Sequence, residues 1–317
     1  MNLNSRKQKI LIDKETVTVA VITFNSSRYV IETLESIKAQ TYPNIILQIS
    51  DDCSTDNTVK VCKDWIEKNG SRFVKTKIIV PEHNTGVAGN LNRAWDACET
   101  KYIKDIAGDD KLMPNCIEDN MQYMKEHPDA VFVFSMIKVF GNSDQQIKKI
   151  EAMFDYSKYY WPPEKQLDYF LRGNNFVTAS TCFANIEKIR ELNIRNDERI
   201  PLLEDTPKWA NAIRKGIKLN FFEKETVEYR VHNTSLSTRK RPNYRFQRSS
   251  EMYFFLYTYP YLYSIDPEYA TELAYKKVSH LFRYKKLVQN SIFFKFYDLL
   301  KYWGVIKKKD IEPTTRK

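Results

Sequence analysis

Apolar and polar positions change period in a regular way along the first third of the chain. Residues 17–25, VTVAVITFN, form a β-branched run that halts at Thr23 and Asn25, the pattern of a strand buried on both faces. In residues 28–40, RYVIETLESIKAQ, Val30, Ile31, Leu34 and Ile37 recur at helical spacing, and TYPN ends the helix at a proline. A second apolar run, IILQIS, leads into DDCSTDNT, whose Ser, Thr and Asp residues suit the start of a helix over VKVCKDWIEKNG. KIIV then predicts a third strand, GVAGNLNRAWDAC a third helix and KYIKDIA a fourth strand. This alternation predicts an α/β fold, a Rossmann-like, mainly parallel sheet flanked by helices. In such a sheet ligands bind beyond the carboxyl ends of the strands, which is where Thr23, Asp52 and Asp109 fall.

Further along, CIEDNMQYMKEHP reads as a helix and AVFVFSMIKVF as a strand. Residues 141–173 read as irregular and aromatic, with WPPEKQ as a breaker and QLDYFLRG as a short helix. NNFVTASTCFANIEKIREL suggests a strand carrying Ser and Thr, followed by a helix.

The candidate chemistry sits where strands stop. Asp109 and Asp110 follow KYIKDIA in a turn; hard divalent cations take oxygen ligands and share them with phosphates, so such a carboxylate can hold a metal and, through it, a diphosphate. Acidic pairs are also common in solvated turns. Glu204 and Asp205 precede an amphipathic segment, where carboxylates also favour the positive end of a helix, and His232 is one of only four histidines, so neither motif is decisive alone. Asp51 reads as support for its turn.

Taken in order, VTVAVITFN, SIKAQTYPN, DDCSTDNT, HNTGVAGNLNRA and AGDD followed by LMP make the chain resemble the inverting nucleotide-sugar glycosyltransferases of the GT-A fold, the family 2 type. IPLLEDTPKWANAIRKG and VEYRVHNTSLS extend the resemblance, which covers residues 17–238. It implies a UDP-sugar donor with Phe24 against the uracil, flanked by Thr23 and Asn25, and Asp52 accepting from the uracil ring. Asn90 and Arg93 lie where the family contacts the nucleotide or its phosphates. It also implies Mn²⁺ or Mg²⁺ at Asp109, with Asp110 beside it and His232 near the metal or diphosphate. Of the acidic pair Glu204 and Asp205, the resemblance makes Asp205 the general base. The chain departs from the pattern twice: Ala107 stands where the first Asp of the metal motif is usual, and Cys53 where a turn glycine is usual.

Composition adds a second theme. At 317 residues and 42% hydrophobic content the chain can bury a sizeable core, and the net charge of +10 is concentrated at one end. From Arg241 to Lys317 there are 15 Lys and Arg against 7 Asp and Glu, a net +8. EMYFFLYTYPYLY and NSIFFKFYDLLKYWGVIKKK interleave these cations with aromatics. Residues 1–238 are therefore read as a catalytic domain and 239–317 as a basic helical extension. The extension suits an anionic membrane surface or a polyprenyl-linked saccharide or other glycan acceptor; packing on the domain or on a second subunit as a homo-oligomer is the alternative. No nucleic-acid-binding motif is present. The amino terminus lacks a signal-peptide core, and five cysteines without CxxC spacing suit reduced thiols, so a cytoplasmic enzyme, peripheral at the inner face of the membrane, is expected. The competing class is a sugar-nucleotide-binding or scaffold protein of the same fold.

Overall fold

The computed structural model describes residues 15–141, 143–203, 205–232 and 244–283. The chain divides into two compact units, Met1–Tyr253 and Phe254–Lys317.

The first unit is built on an eight-stranded sheet whose strands lie side by side in the order Lys75–Ile79, Ile45–Asp51, Val17–Thr23, Tyr102–Ala107, Phe183–Asn185, Phe132–Gly141, Leu219–Val231 and Lys111–Leu112. Strands β1 (Val17–Thr23), β2 (Ile45–Asp51), β3 (Lys75–Ile79) and β4 (Tyr102–Ala107) form its parallel half. The helices between and after them are α1 (Val30–Lys38), α2 (Thr58–Asn69) and α3 (Gly86–Asp96). Register places Thr23 beside Asp51, and Ile22 beside both Ser50 and Ala107, so three strands end at one edge. β1 and β2 are buried along nearly their whole length, as expected for strands covered on both faces.

In α1, Val30, Leu34 and Ile37 face the core as their spacing predicts, but Ile31 is exposed and Thr33 fills the stripe instead. Thr33 is useful there: its Oγ1 donates to the Asp110 carbonyl at 2.7 Å, tying α1 to the acidic turn.

After β4 come β5 (Lys111–Leu112), α4 (Cys116–Glu126) and β6 (Phe132–Gly141). Between residues 141 and 173, expected to be irregular but for one short helix, the chain forms two helices, α5 (Asp144–Glu151) and α6 (Pro163–Leu171). Each has a local start signal: the Ser143 side chain accepts from the Gln146 amide, and Pro163 occupies the first helical position. The Ser/Thr segment that follows is mostly a 3₁₀ turn. Thr178 and Thr181 are buried in it, bonded to each other and to Ser135 of β6, and β7 spans only Phe183–Asn185.

The unit continues through α7 (Ile186–Glu191), α8 (Asp205–Arg214), the long β8 (Leu219–Val231) and α9 (Tyr244–Tyr253). β8 runs parallel to β6, and register shifts at Ser135–Met136–Ile137 bend the pair. α9 lies beyond residue 238 yet packs within this unit: Tyr253 donates to the Phe170 carbonyl at 2.6 Å.

The second unit, as far as it is described, is helical: a π-helical turn at Phe254–Thr258, α10 (Tyr259–Ile265) and α11 (Pro267–Arg283). Phe254, Tyr257, Leu262, Ala270 and Ala274 are buried, whereas Leu256, Tyr263, Ile265 and Tyr269 are exposed. Residues 284–317, with most of the basic and aromatic tail, lie outside the described residues. Among the described residues, no helix is long and apolar enough to cross a membrane.

Candidate active site

Where β1 stops, the backbone turns through Asn25 at φ 52°, and the loop is laced to the one after β2. Asn25 Oδ1 accepts from the Thr55 amide at 2.9 Å, and the amides of Ser26 and Ser27 donate to Thr58 Oγ1 and Asp56 Oδ2. Asn25 therefore joins two loops; it does not cap α1. Asp51 accepts from Thr23 Oγ1 at 2.8 Å and from the Ser54 amide at 2.7 Å, which makes it turn support. Phe24 projects from this braced platform with 47% of its surface exposed, a large ring with no core to join. Cys53 sits at φ 61°, the left-handed region that favours glycine, so the turn keeps its shape at the cost of strain.

Asp52 is 2% exposed and caps α3 from another element. Its carboxylate accepts from the Thr85 amide at 2.9 Å, Thr85 Oγ1 at 2.7 Å and the Gly86 amide at 2.7 Å, with Arg93 Nη2 at 3.5 Å. These amides are among the donors a helix start leaves unpaired. Asn90 is 1% exposed: Nδ2 donates to the Ser50 and Thr23 carbonyls, and Oδ1 accepts from Ser50 Oγ and Arg93 Nη1. Thr23, Asp52, Asn90 and Arg93 thus converge beyond β1 and β2, joined to one another and, through Ser50, Asp51, Thr85 and Gly86, to the elements around them.

The acidic turn is built differently at its two carboxylates. Gly108 passes so close to β1 that an added Cβ would lie 2.8 Å from Thr23 Cγ2. Asp109, with 32% of its side chain exposed, has Oδ2 2.9 Å from His232 Nε2 at the end of β8. Asp110 turns inward, 2% exposed, and accepts from the Arg230 amide at 2.8 Å. Burial and then the neighbouring Asp109 carboxylate push the Asp110 carboxyl well above the usual range. Arg230 braces the whole turn. Its Nε donates to the Asp109 carbonyl at 2.7 Å, its Nη2 pairs with Glu32 at 2.7 Å, and its guanidinium lies over the rings of Tyr29 and Phe140 at 4.8 and 4.5 Å. Tyr29 also packs on the His232 ring, 4.8 Å between centroids.

Of the three residues expected to serve a metal, the structure brings Asp109 and His232 together and aims Asp110 at the β8 backbone. Among the described residues, no cluster of three or more His, Cys, Asp or Glu side chains is placed to hold a cation. The donor set that remains, one partly exposed carboxylate and one imidazole, fits a divalent ion that takes its other ligands from a diphosphate and water.

Asp205 opens α8. Its Oδ1 accepts from its neighbour's amide, Thr206 N, at 2.7 Å, and its Oδ2 from Asn175 Nδ2 at 2.7 Å. Glu204 lies outside the described residues. α8 is anchored by Trp209, fully buried and edge-on to Phe132 and Phe134 at 5.2 and 5.0 Å. The approach to Asp205 is pinned on both sides: the Pro201 carbonyl accepts from the Ala88 amide at 3.3 Å, and the Leu202 amide donates to Ser249 Oγ of α9 at 3.2 Å. Gly86, at φ 83°, has room for no side chain there, because a Cβ would lie 2.7 Å from Pro201 Cβ. The helix start that Asp52 caps is therefore the surface on which the Asp205 loop rests.

Arg230, Tyr29 and Asn175 were not singled out from the sequence. Arg230 carried a readable signal, since residues two apart on a strand share a face and His232 follows it by two. Asn175 had none, because its partner is distant in sequence.

A carboxylate–imidazole pair and an exposed ring just past the end of β1 stand at the carboxyl edge of the parallel strands, the edge at which open α/β sheets bind ligands. The comparisons supply the class. The profile described as Glycosyl transferase family 2 matches residues 18–192, more than half of the chain, and the protein belongs to that family. It is 27% identical over 231 residues to the Escherichia coli UDP-Glc:alpha-D-GlcNAc-diphosphoundecaprenol beta-1,3-glucosyltransferase WfaP, covering 71% of this chain and 81% of the relative. It is 25% identical over 228 residues to TuaG of Bacillus subtilis, assigned to teichuronic acid biosynthesis, covering 72% and 83%. In fold it is similar to Staphylococcus aureus TarS, residues 1–349 in complex with UDP-GlcNAc, with a TM-score of 0.58, 17% identity and coverage of 76% of this chain and 66% of that one. The GT-A architecture expected from the sequence is thus present. The protein is a family 2 glycosyltransferase related to enzymes of cell-surface polysaccharide synthesis.

Proposed function

We propose that the protein transfers a sugar from a UDP-sugar to a hydroxyl of a glycan or polyprenyl-linked acceptor, with inversion at the anomeric carbon, in cell-surface polysaccharide synthesis. The observation that carries this reading is the pairing of Asp109 with His232 beyond β4, beside a loop network shared with the segment that leads to Asp205. In the reaction, Asp205 accepts the acceptor hydroxyl's proton as that oxygen attacks the anomeric carbon, a contribution of roughly 10²–10⁴-fold. The bond from the anomeric carbon to the diphosphate oxygen breaks on the opposite face, and its electron pair leaves with UDP. Bound Mn²⁺ or Mg²⁺ would supply Lewis-acid stabilisation of the departing diphosphate. Asp109 and His232 would hold that ion, with Asp110 acting from behind through the turn. Phe24 would offer its face to the uracil, with Thr23 and Asn25 shaping the loop beneath it. Asp52, Asn90 and Arg93 would keep the floor of the nucleotide site in register. The exposed apolar residues of the second unit and the basic tail suit contact with an anionic membrane surface, where a polyprenyl-linked acceptor resides.

Calorimetry with UDP, with and without Mn²⁺, on the intact protein and on Asp109→Ala tests the reading. Mn²⁺ is expected to strengthen UDP binding, and the variant to lose that increment by at least about tenfold. Equal UDP affinity in all four titrations would refute the metal assignment, and retention of the donor's anomeric configuration in the product would refute inversion.

A further inference from the structure

We propose that Asn175 is the positioning residue for the general base, fixing which oxygen of Asp205 receives the acceptor's proton. The proposal rests on Asp205 being that base. The Asn175 side-chain amide has one orientation available to it. The Val177 backbone N–H, a donor, lies 2.8 Å from Oδ1, so the oxygen end of the amide must face Val177 and the NH₂ end must face Asp205. From there Nδ2 donates to Asp205 Oδ2 at 2.7 Å.

The opposite oxygen is already committed. Oδ1 accepts from the Thr206 amide at 2.7 Å and from Thr206 Oγ1 at 3.3 Å, which uses both of its lone pairs. Among the described residues Oδ2 accepts only the Asn175 bond, which leaves its second lone pair. Oδ2 is therefore the atom that can accept a proton, and Asn175 sets the direction in which its remaining lone pair points.

The segment that carries Asn175 is buried from Phe176 to Thr178, although Asn175 itself is exposed. Phe176, next in the chain, is 3% exposed and wedged against Tyr159 and Phe170, with ring centroids 5.1 and 5.0 Å away. Tyr159 in turn accepts from the Thr178 amide at 3.1 Å. A base held on such a scaffold needs no reorganisation when substrate arrives, and loss of alignment by about 1 Å costs on the order of 10²-fold in rate.

A purely structural role, in which Asn175 only closes its own turn, makes a different forecast for one substitution. Asn175→Asp keeps Oδ1 and its bond from Val177 while replacing the donor to Asp205 by a repelling carboxylate. The test uses the full-length protein with UDP-glucose and UDP-N-acetylglucosamine, water serving as acceptor, and reads UDP release, UDP affinity and thermal stability. For Asn175→Asp the expected result is a rate at least about tenfold lower with UDP affinity unchanged. The exchanged pair, Asn175→Asp with Asp205→Asn, is expected to regain the melting temperature lost by Asn175→Asp while staying inactive, because the hydrogen bond is restored with donor and acceptor reversed. Wild-type turnover in Asn175→Asp, or no recovery of stability in the exchanged pair, overturns the proposal. Recovered stability establishes the bond between the two side chains, and the fall in turnover at unchanged UDP affinity establishes its effect on the base. Turnover retained in Asp205→Asn alone would instead overturn the assignment of the base, and so separates the two failures.

Discussion

Replacing Asp52 by alanine separates two roles that one carboxylate can play. The resemblance makes Asp52 a uracil contact, whereas the structure has it holding the start of α3. In Asp52→Ala the Thr85 amide, Thr85 Oγ1 and the Gly86 amide lose an acceptor that now lies 2.7–2.9 Å away. Loss of a helix cap costs about 0.5–2 kcal/mol, and each buried donor left unpaired about 1–3 kcal/mol. Arg93 keeps its bonds to Asn90 and Thr85, and water can enter the space vacated, so the costs do not add in full. A net loss of about 3 kcal/mol is expected, a fall in melting temperature of roughly 6–12 °C for a unit of this size. Asp52→Asn, which retains one oxygen, should lose about 1 kcal/mol. Urea unfolding measures both, and UDP titration below the transition measures binding on folded protein. A loss under about 1 kcal/mol together with a UDP affinity down by about a hundredfold would refute the reasoning, because the carboxylate would then serve the nucleotide and not the helix.

Cys53→Gly should stabilise the protein by about 1 kcal/mol, since glycine adopts φ 61° without the clash a side chain meets; a lower urea midpoint would count against strain at that turn. Asp105, 9% exposed, accepts from Trp95 Nε1 at 2.8 Å through Oδ2, while Oδ1 is buried without a partner among the described residues. Burial pushes its carboxyl up, against the opposing pull of the Trp95 hydrogen bond and of Lys208 and Lys104. The folded state therefore holds a proton that the unfolded chain releases in the ordinary carboxylate range. The stability linked to Asp105 is present below that range and falls as pH rises through the window up to the raised value. Asp105→Asn should flatten this fall, and an unchanged slope of unfolding free energy against pH would rule the assignment out.

Much of the fold was legible in the sequence because its signals are local. The β-branched runs of β1 and β2 and the stripe of Val30, Leu34 and Ile37 report burial directly. The polar residues after each strand mark the edge where a site forms. The short helix read in QLDYFLRG is present as α6, begun earlier at Pro163; the expectation failed where few residues tip the balance, as Ser143 starts a helix in a stretch that otherwise reads as loop, and Thr33, bonded to the acidic turn, takes the buried place expected for Ile31.

The sequence alone determined the chemical inventory of this site: carboxylates at Asp52, Asp109, Asp110 and Asp205, an imidazole at His232 and a ring at Phe24, each at the end of an element. Only tertiary structure decided how they divide the work. Asp109 and Asp110 are equivalent as text, yet one sits 2.9 Å from His232 and the other is buried against the Arg230 backbone. Asp52 meets Gly86, Gly86 meets Pro201, and Asp205 meets Asn175 across gaps of about 30 residues or more. Periodicity reports what lies on one face of one element. It carries no information about which faces meet, and that depends on the order and bend of the sheet.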